Sequence, residues 1–206
     1  LLSRGLGDVY KRQMSDSDLK QLNFPQTISD SSIKGIILVE ICDKVVCDAL
    51  SQFNLPIVSV DMPNVPFEEL NGIDVVTMES KKNLKKIINQ LIEKGAESFG
   101  FVGDLYSPNV SRGFQERYNA LSECLAEHQL PLNQKNCLLH QTPEDFRNFQ
   151  TTVNNLQAMI SLPDVFICGN DWTAIQLIYA LQFLGFQIPK DICVVGFDNI
   201  LSLIHI

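Results

Sequence analysis

DVFICGNDWTAIQLIYALQFLGFQIPKDICVVGFDNI, residues 164–200, reads as strand, helix, strand. Val165–Cys168 is a short apolar run between Pro163 and Gly169, as a buried strand requires. Asn170 can cap a helix, and Asp171 puts a carboxylate at its positive end. Ala174, Ile178 and Leu181 share one helical face, widened by Ile175 and Leu177. Gly185 suits the residue just past the helix, and Pro189 prevents it from resuming. Ile192–Phe197 is a second apolar run, and a strand, crossover helix and strand of this length predict a parallel pair. Asn170 and Asp198 then lie just past the carboxyl ends of the two strands, where open α/β sheets bind ligands. Spacing alone leaves two readings open for them: a helix cap and a turn residue, or two polar walls of one crevice.

The same alternation recurs upstream. Met14–Lys34 is a polar, irregular or partly helical lead-in. Gly35–Ile41 reads as a strand, and Asp43–Phe53 as a helix with Val46, Ala49, Leu50 and Phe53 on one face. Pro56–Asp61 and Asp74–Met78 are further strands, separated by a loop that holds Pro63 and Pro66. Ser80–Lys94 is a helix that turns Leu84, Ile87, Ile88, Leu91 and Ile92 inward. Its Lys81, Lys82, Lys85 and Lys86 form a solvated basic face. Ser98–Asp104 is a strand, Ser111–Leu132 an amphipathic helix and turn, and Asn136–His140 a strand. A helix opens at Thr142-Pro143-Glu144 and runs to about Ile160, with Phe146, Phe149, Val153 and Leu156 on one face.

Composition bounds what such a chain can do. It has 206 residues, 45% of them hydrophobic, enough for one or two cores. No apolar run approaches a membrane span, so a soluble protein is expected. The net charge of −8 argues against direct contact with nucleic acid. Six cysteines form no CxxC pair and have no histidine at ligand spacing, so they read as small buried hydrophobes of a reducing compartment. No metal or cofactor is expected. No GxSxG, phosphate loop or nucleophile–base pattern is present, which argues against an enzyme.

The two ends read as something other than protein. Asp8–Gln13, DVYKRQ, can be encoded by GAT GTG TAT AAG AGA CAG. The reverse complement, CTG TCT CTT ATA CAC ATC, encodes Leu201–Ile206, LSLIHI. Both ends thus fit one adapter-like DNA sequence in opposite orientations and are excluded from fold reasoning, as a fusion scar would be. Residues 1–13 carry Arg4, Lys11 and Arg12 against Asp8, so the remainder is more acidic than the whole, at −10.

The strand ending in GND (169–171), the helix after it and LGFQIPKDICVVGFDN (184–199) together resemble the effector-binding core of the lactose-repressor (LacI/GalR) family of transcription regulators. The resemblance implies an α/β fold of two doubly wound parallel-sheet lobes, of the type I periplasmic-binding-protein-like kind, incomplete here at both ends. The expected division is an adapter-like stretch at 1–13, an N-terminal lobe at 14–104, a C-terminal lobe at 105–200 and adapter-like sequence at 201–206, with the crossing near Leu105–Pro108. It also implies a pocket. Aligning Leu121, Cys124, Leu125 and Leu130-Pro131-Leu132 puts Arg117 on the family's effector-binding arginine, with Arg112 the competing candidate. Asp198 and Asn170 join it, and Glu79 stands where the family has an aspartate. Ala96 and Ala120 replace the family's usual His and Gly, which marks a divergent member. Trp172 follows Asn170-Asp171, either to stack on a ligand or to pack beneath the helix. Such residues suit a polar small molecule: carboxylate and amide take hydroxyls, and arginine forks onto a ring oxygen or an anion.

The function implied is the sensing domain of a cytoplasmic transcription regulator. A sugar or similar metabolite would bind between the lobes and alter how a homodimer presents DNA-binding headpieces, which this stretch of chain does not include. The alternative is a sugar-binding protein of an ABC importer, which shares the fold. An enzyme on a doubly wound sheet is a third reading, supported only by analogy of fold.

Overall fold

The apolar runs form two separate three-stranded parallel sheets in the computed structural model, which describes residues 12–106, 111–139 and 148–199. The first sheet has the order β1 (Ile36–Val39), β2 (Ile57–Val60), β3 (Ile73–Val76), with Ile36 opposite Ile57 and Ile57 opposite Ile73. The second has the order β4 (Phe99–Val102), β5 (Val165–Cys168), β6 (Cys193–Val195), with Phe99 opposite Val165 and Val165 opposite Cys193. Two short helices serve the first sheet: α1 (Asp16–Gln21), opened by a Ser15 capping box, and α2 (Lys44–Ser51), capped by Asp43. Val46, Cys47 and Leu50 of α2 bury against Leu38 and Ile57, and Leu19 beside α1's end and Phe24 pack around them.

The second sheet is covered on both sides. On one face lie α3 (Lys81–Glu93) and α4 (Arg112–Glu127), whose Leu84, Ile88, Leu121, Cys124 and Leu125 close over Phe99, Phe101, Val165 and Ile167. On the other lie α5 (Phe149–Ala158) and α6 (Asp171–Phe183), which bring Val153, Leu156, Leu177 and Leu181 onto Val102, Phe166 and Cys168. Every residue of β4 and β5 is buried, as expected of a parallel sheet sandwiched between helices.

The change of sheet falls earlier than the division expected from the sequence. β4, placed in the N-terminal lobe, pairs with β5, and α3 packs on α4 rather than on the first sheet. The chain thus crosses between Val76 and Lys81, well before residue 105, and residues 107–110 lie outside the described ones. The cause is the apolar stripe of α3, which meets the Leu121–Leu125 stripe of α4. Its basic face is partly committed as well: Lys81 pairs with Glu123 at 2.9 Å, and Lys85 with Glu123 at 3.1 Å and Glu127 at 2.9 Å. Among the described residues the first sheet is therefore covered by helices on one side only. On its other face Ile37 is 67% exposed, Val39 61% and Val76 58%.

Two smaller expectations change. Asn136–His140 is not a full strand: Gln134–Asn136 forms a 3₁₀ turn, and Leu138 makes a single parallel bridge to Val102. His140 lies outside the described residues, as do Thr142-Pro143-Glu144 and Phe146, where the sequence predicts the next helix to open; the helix described there, α5, begins after its cap Asn148.

With this apolar sheet face exposed, the isolated chain should self-associate. Ile37→Glu combined with Val39→Lys should raise the monomer fraction in sedimentation velocity while leaving the far-UV circular dichroism unchanged. Asp164 supports a second prediction. It joins the starts of β4 and β5 by accepting the N–H groups of Glu97 and Ser98, each at 2.9 Å, and the Ser98 hydroxyl at 2.8 Å. Burial works to raise its pKa, but these hydrogen bonds outweigh it and hold the carboxyl below its ordinary value. A depressed folded pKa stabilises above the unfolded value, and that contribution is lost as pH falls through the folded one. Asp164→Asn should therefore be less stable than the parent at pH 7, with the difference closing below about pH 4 in urea titrations.

Candidate functional site

The carboxyl ends of β2, β5 and β6 converge on one side chain, Arg117. It sits on the second turn of α4, a helix opened by Ser111, whose hydroxyl accepts the Gly113 N–H at 3.0 Å. Only 6% of Arg117 is exposed. Nη1 donates to the carbonyl of Gly169, at the end of β5. The guanidinium carbon lies 3.5 Å from the centre of the Phe197 ring, past the end of β6, and 5.7 Å from that of Phe114. Nε is buried with no hydrogen-bond partner. Burial lowers the pKa of the guanidinium, against the pull of Asp198, Asp61 and Glu116. Gly169 leaves room for this arrangement, because a Cβ there would collide with the Phe114 ring.

Asp198 is exposed at the end of β6 in a left-handed backbone conformation, φ 101°. Partial desolvation raises its pKa; Arg117 opposes the rise, while Asp171, Asp61 and Glu40 add to it. Asn170 is the cap the sequence suggests: its side-chain oxygen accepts the Thr173 N–H at 3.0 Å, within a capping box. Asp171 is buried, and its N–H donates to the Phe197 carbonyl at 2.8 Å, which ties the start of α6 to the end of β6. Its carboxylate lies against Gly196, where a Cβ would not fit.

The first sheet supplies the facing wall. Asp61, past β2 with φ 73°, accepts the Ser111 hydroxyl at 2.6 Å and its neighbour's N–H, that of Met62, at 2.8 Å. Glu40, past β1 with φ 58°, is exposed and lies within electrostatic reach of Asp198 and Cys42. Burial above all, with Asp61, Cys47 and Glu40 adding to it, pushes the Cys42 thiol up to about 12. The loop after β2 is also held to α4: the Arg112 N–H donates to the Met62 carbonyl at 3.1 Å, its Nη1 to the Val65 carbonyl at 3.0 Å, and its guanidinium lies 4.6 Å from the Phe67 ring centre.

Of the five residues singled out from the sequence, Arg117, Asp198 and Asn170 come together. Glu79 does not join them. Its carboxylate takes the free Lys82 and Asn83 N–H groups at the start of α3, at 2.6 and 3.2 Å, and the first of these bonds does most to lower its pKa. It lines a separate concavity of about 340 Å³ with Arg112, Glu116 and Asn119, on another face of α4. Arg112 is bonded to the loop after β2, not to the strand ends that meet Arg117. Trp172 is 66% exposed, so it does not pack beneath its helix. Asp61, Glu40 and Phe197 were missed. Each ends or follows a strand, and the rule that ligands meet carboxyl ends would have found them. Among the described residues no group of three or more His, Cys, Asp or Glu is placed to hold a metal ion.

Comparison with known proteins agrees with the fold. Catabolite control protein A of Staphylococcus xylosus is 30% identical over 211 residues, which covers 96% of this chain and 60% of that protein. The chain thus spans about three fifths of this relative's length. A regulatory protein of the LacI family from Chloroflexus aggregans superposes with a TM-score of 0.72 at 17% identity, covering 94% of this chain and 66% of that one. A LacI family transcriptional regulator from Lactobacillus casei, with bound glucose, superposes with a TM-score of 0.63 at 20% identity, covering 89% and 64%. The family model described as a periplasmic binding protein-like domain matches residues 88–205, more than half of the sequence, and the chain belongs to that family.

Proposed function

We propose that this chain is the effector-sensing core of a LacI-type transcription regulator, which binds a sugar or similar small metabolite in the crevice around Arg117 and Asp198. The observation that carries the reading is the buried guanidinium at the strand ends, with Nε unpartnered and a carboxylate beside it. Such a group is set up to meet a ligand oxygen, while Asp198 and Asp61 accept hydroxyl donors. Asn170 and the exposed Trp172 complete the proposed contacts. Kinship with catabolite control protein A favours a regulator over a solute-binding protein of an importer, and binding over catalysis. Six free thiols, with no disulfide among them, suit a cytoplasmic setting, and among the described residues no helix is long and apolar enough to cross a membrane.

The regulator reading extends to parts beyond this stretch: operator DNA contacted through a headpiece, and a homodimer whose geometry the effector changes. The sheets are coupled where ligand would enter, since the loop after β2 is bonded to the helix that carries Arg117. Closing the crevice on a ligand would shift that contact and with it the relation of the two sheets. We propose the lobes as residues 14 to about 78 and about 79 to 199.

Arg117→Ala and Asp198→Ala should each weaken binding of the cognate sugar at least about tenfold in calorimetry of the intact protein, as loss of a charge-assisted hydrogen bond does. Parent-like affinity for every sugar in both variants would remove this site. A pH effect follows from the raised Asp198 pKa. Hydroxyl donors need the ionised carboxylate, so affinity should decline as pH falls through a value above the ordinary 3.8 of an aspartate. Asp198→Asn should be weaker at neutral pH and lose that part of the pH dependence.

A further inference from the structure

The crevice is strongly unbalanced in charge. Asp61, Asp171 and Glu40 all act electrostatically on Asp198, and among the described residues Arg117 is the cation that opposes them there. That cation is partly spent, since Nη1 is bonded to Gly169 and the guanidinium face is stacked on Phe197. Its Nε–H is left buried without a partner, in a residue only 6% exposed. Of the four acids, Asp171 is buried and Asp61 is bonded to Ser111 and Met62, whereas Glu40 and Asp198 are exposed at the mouth. Among the described residues these acids form no group placed to hold a metal ion that would neutralise them.

We propose that the crevice is a charge filter. It admits an uncharged polyhydroxylated ligand and rejects the phosphorylated form of the same compound, with Glu40 and Asp61 as the residues that set this specificity. This rests on the sugar-binding reading above. A phosphate near Arg117 also comes near the exposed Glu40 and Asp198 carboxylates, and this like-charge repulsion, though screened by solvent and salt, acts against it. A neutral sugar meets the same atoms as acceptors for its hydroxyls, and its ring oxygen can take the Nε–H. Glu40 is held there by backbone rather than by side-chain bonds: its N–H donates to the Val60 carbonyl at 3.3 Å, and its φ of 58° turns it off the end of β1. A non-glycine residue kept in that region needs a local reason, and this role provides one.

The test is calorimetry on the intact protein with neutral aldoses (glucose, galactose, ribose) and their terminal phosphates, repeated for Glu40→Gln and Asp61→Asn. Glu40 is exposed, so its variant keeps the fold and is the primary arm. The expected result is binding of a neutral sugar with its phosphate at least about tenfold weaker at low salt, and a gap that narrows in Glu40→Gln and at 0.5 M salt. Equal or tighter binding of the phosphate overturns the filter while leaving a sugar-binding site in place. A gap unchanged in both variants also overturns it, because the discrimination would then lie elsewhere. Silence towards every neutral and phosphorylated sugar overturns the sugar-binding reading, and the filter with it.

Discussion

The structure turns on one buried charge. A guanidinium withdrawn from water must be compensated, and a single partner rarely suffices. Arg117 is compensated from three places: the Gly169 carbonyl at the end of β5, the Phe197 ring and Asp198 beyond β6, and Asp61 beyond β2. Each group reaches it because parallel strands end on the same side. Gly169 and Gly196 then become necessary, the first because Phe114 presses on it and the second because the Asp171 carboxylate does. Residues far apart in sequence are thus tied to one charge.

A second constraint decides which sheet each helix serves. The α3 helix follows β3, and a simple repetition of strand and helix would lay it on the first sheet. It crosses instead, because Leu84 and Ile88 find a matching stripe on α4, and the pairing closes one face of the second sheet. The surface ion pairs to Glu123 and Glu127 set register but contribute little by themselves. The result is asymmetric. The second sheet is wrapped on both sides, while the first keeps Ile37, Val39 and Val76 in solvent.

This explains which parts were legible in the sequence. Residues 164–200 were, because strand length, a polar cap, a 3.6-residue stripe and a terminal glycine all agree there, and each appears as expected in β5, α6 and β6. Arg117 was legible through a resemblance that fixes the register of α4; its apolar neighbours alone would have left it a surface charge. The lobe crossing was not legible, since a stripe on α3 shows that one face is buried without saying against what. Glu79 failed for a related reason. A carboxylate three residues before a helical N–H can be captured by that helix, and the local bond wins over a distant pocket.

Backbone strain links the remaining pieces. Seven non-glycine residues have positive φ among those described, and Leu22, Asn54 and Gln129 sit at ordinary turns or helix ends. The other four, Glu40, Asp61, Asp198 and Asn199, all stand beyond the carboxyl ends of strands, and three of them are acids acting on one another at the crevice. Left-handed conformations in non-glycine residues cost about 1–3 kcal/mol each, and like-charged neighbours add to that cost. Folding alone gives no reason to concentrate both penalties in one place, since glycine or asparagine would relieve each of them. A ligand that donates hydrogen bonds to these carboxylates would offset the charge repulsion while using the backbone geometry that aims them, and on the proposed reading the strained strand ends and the buried arginine would then be two halves of one binding surface.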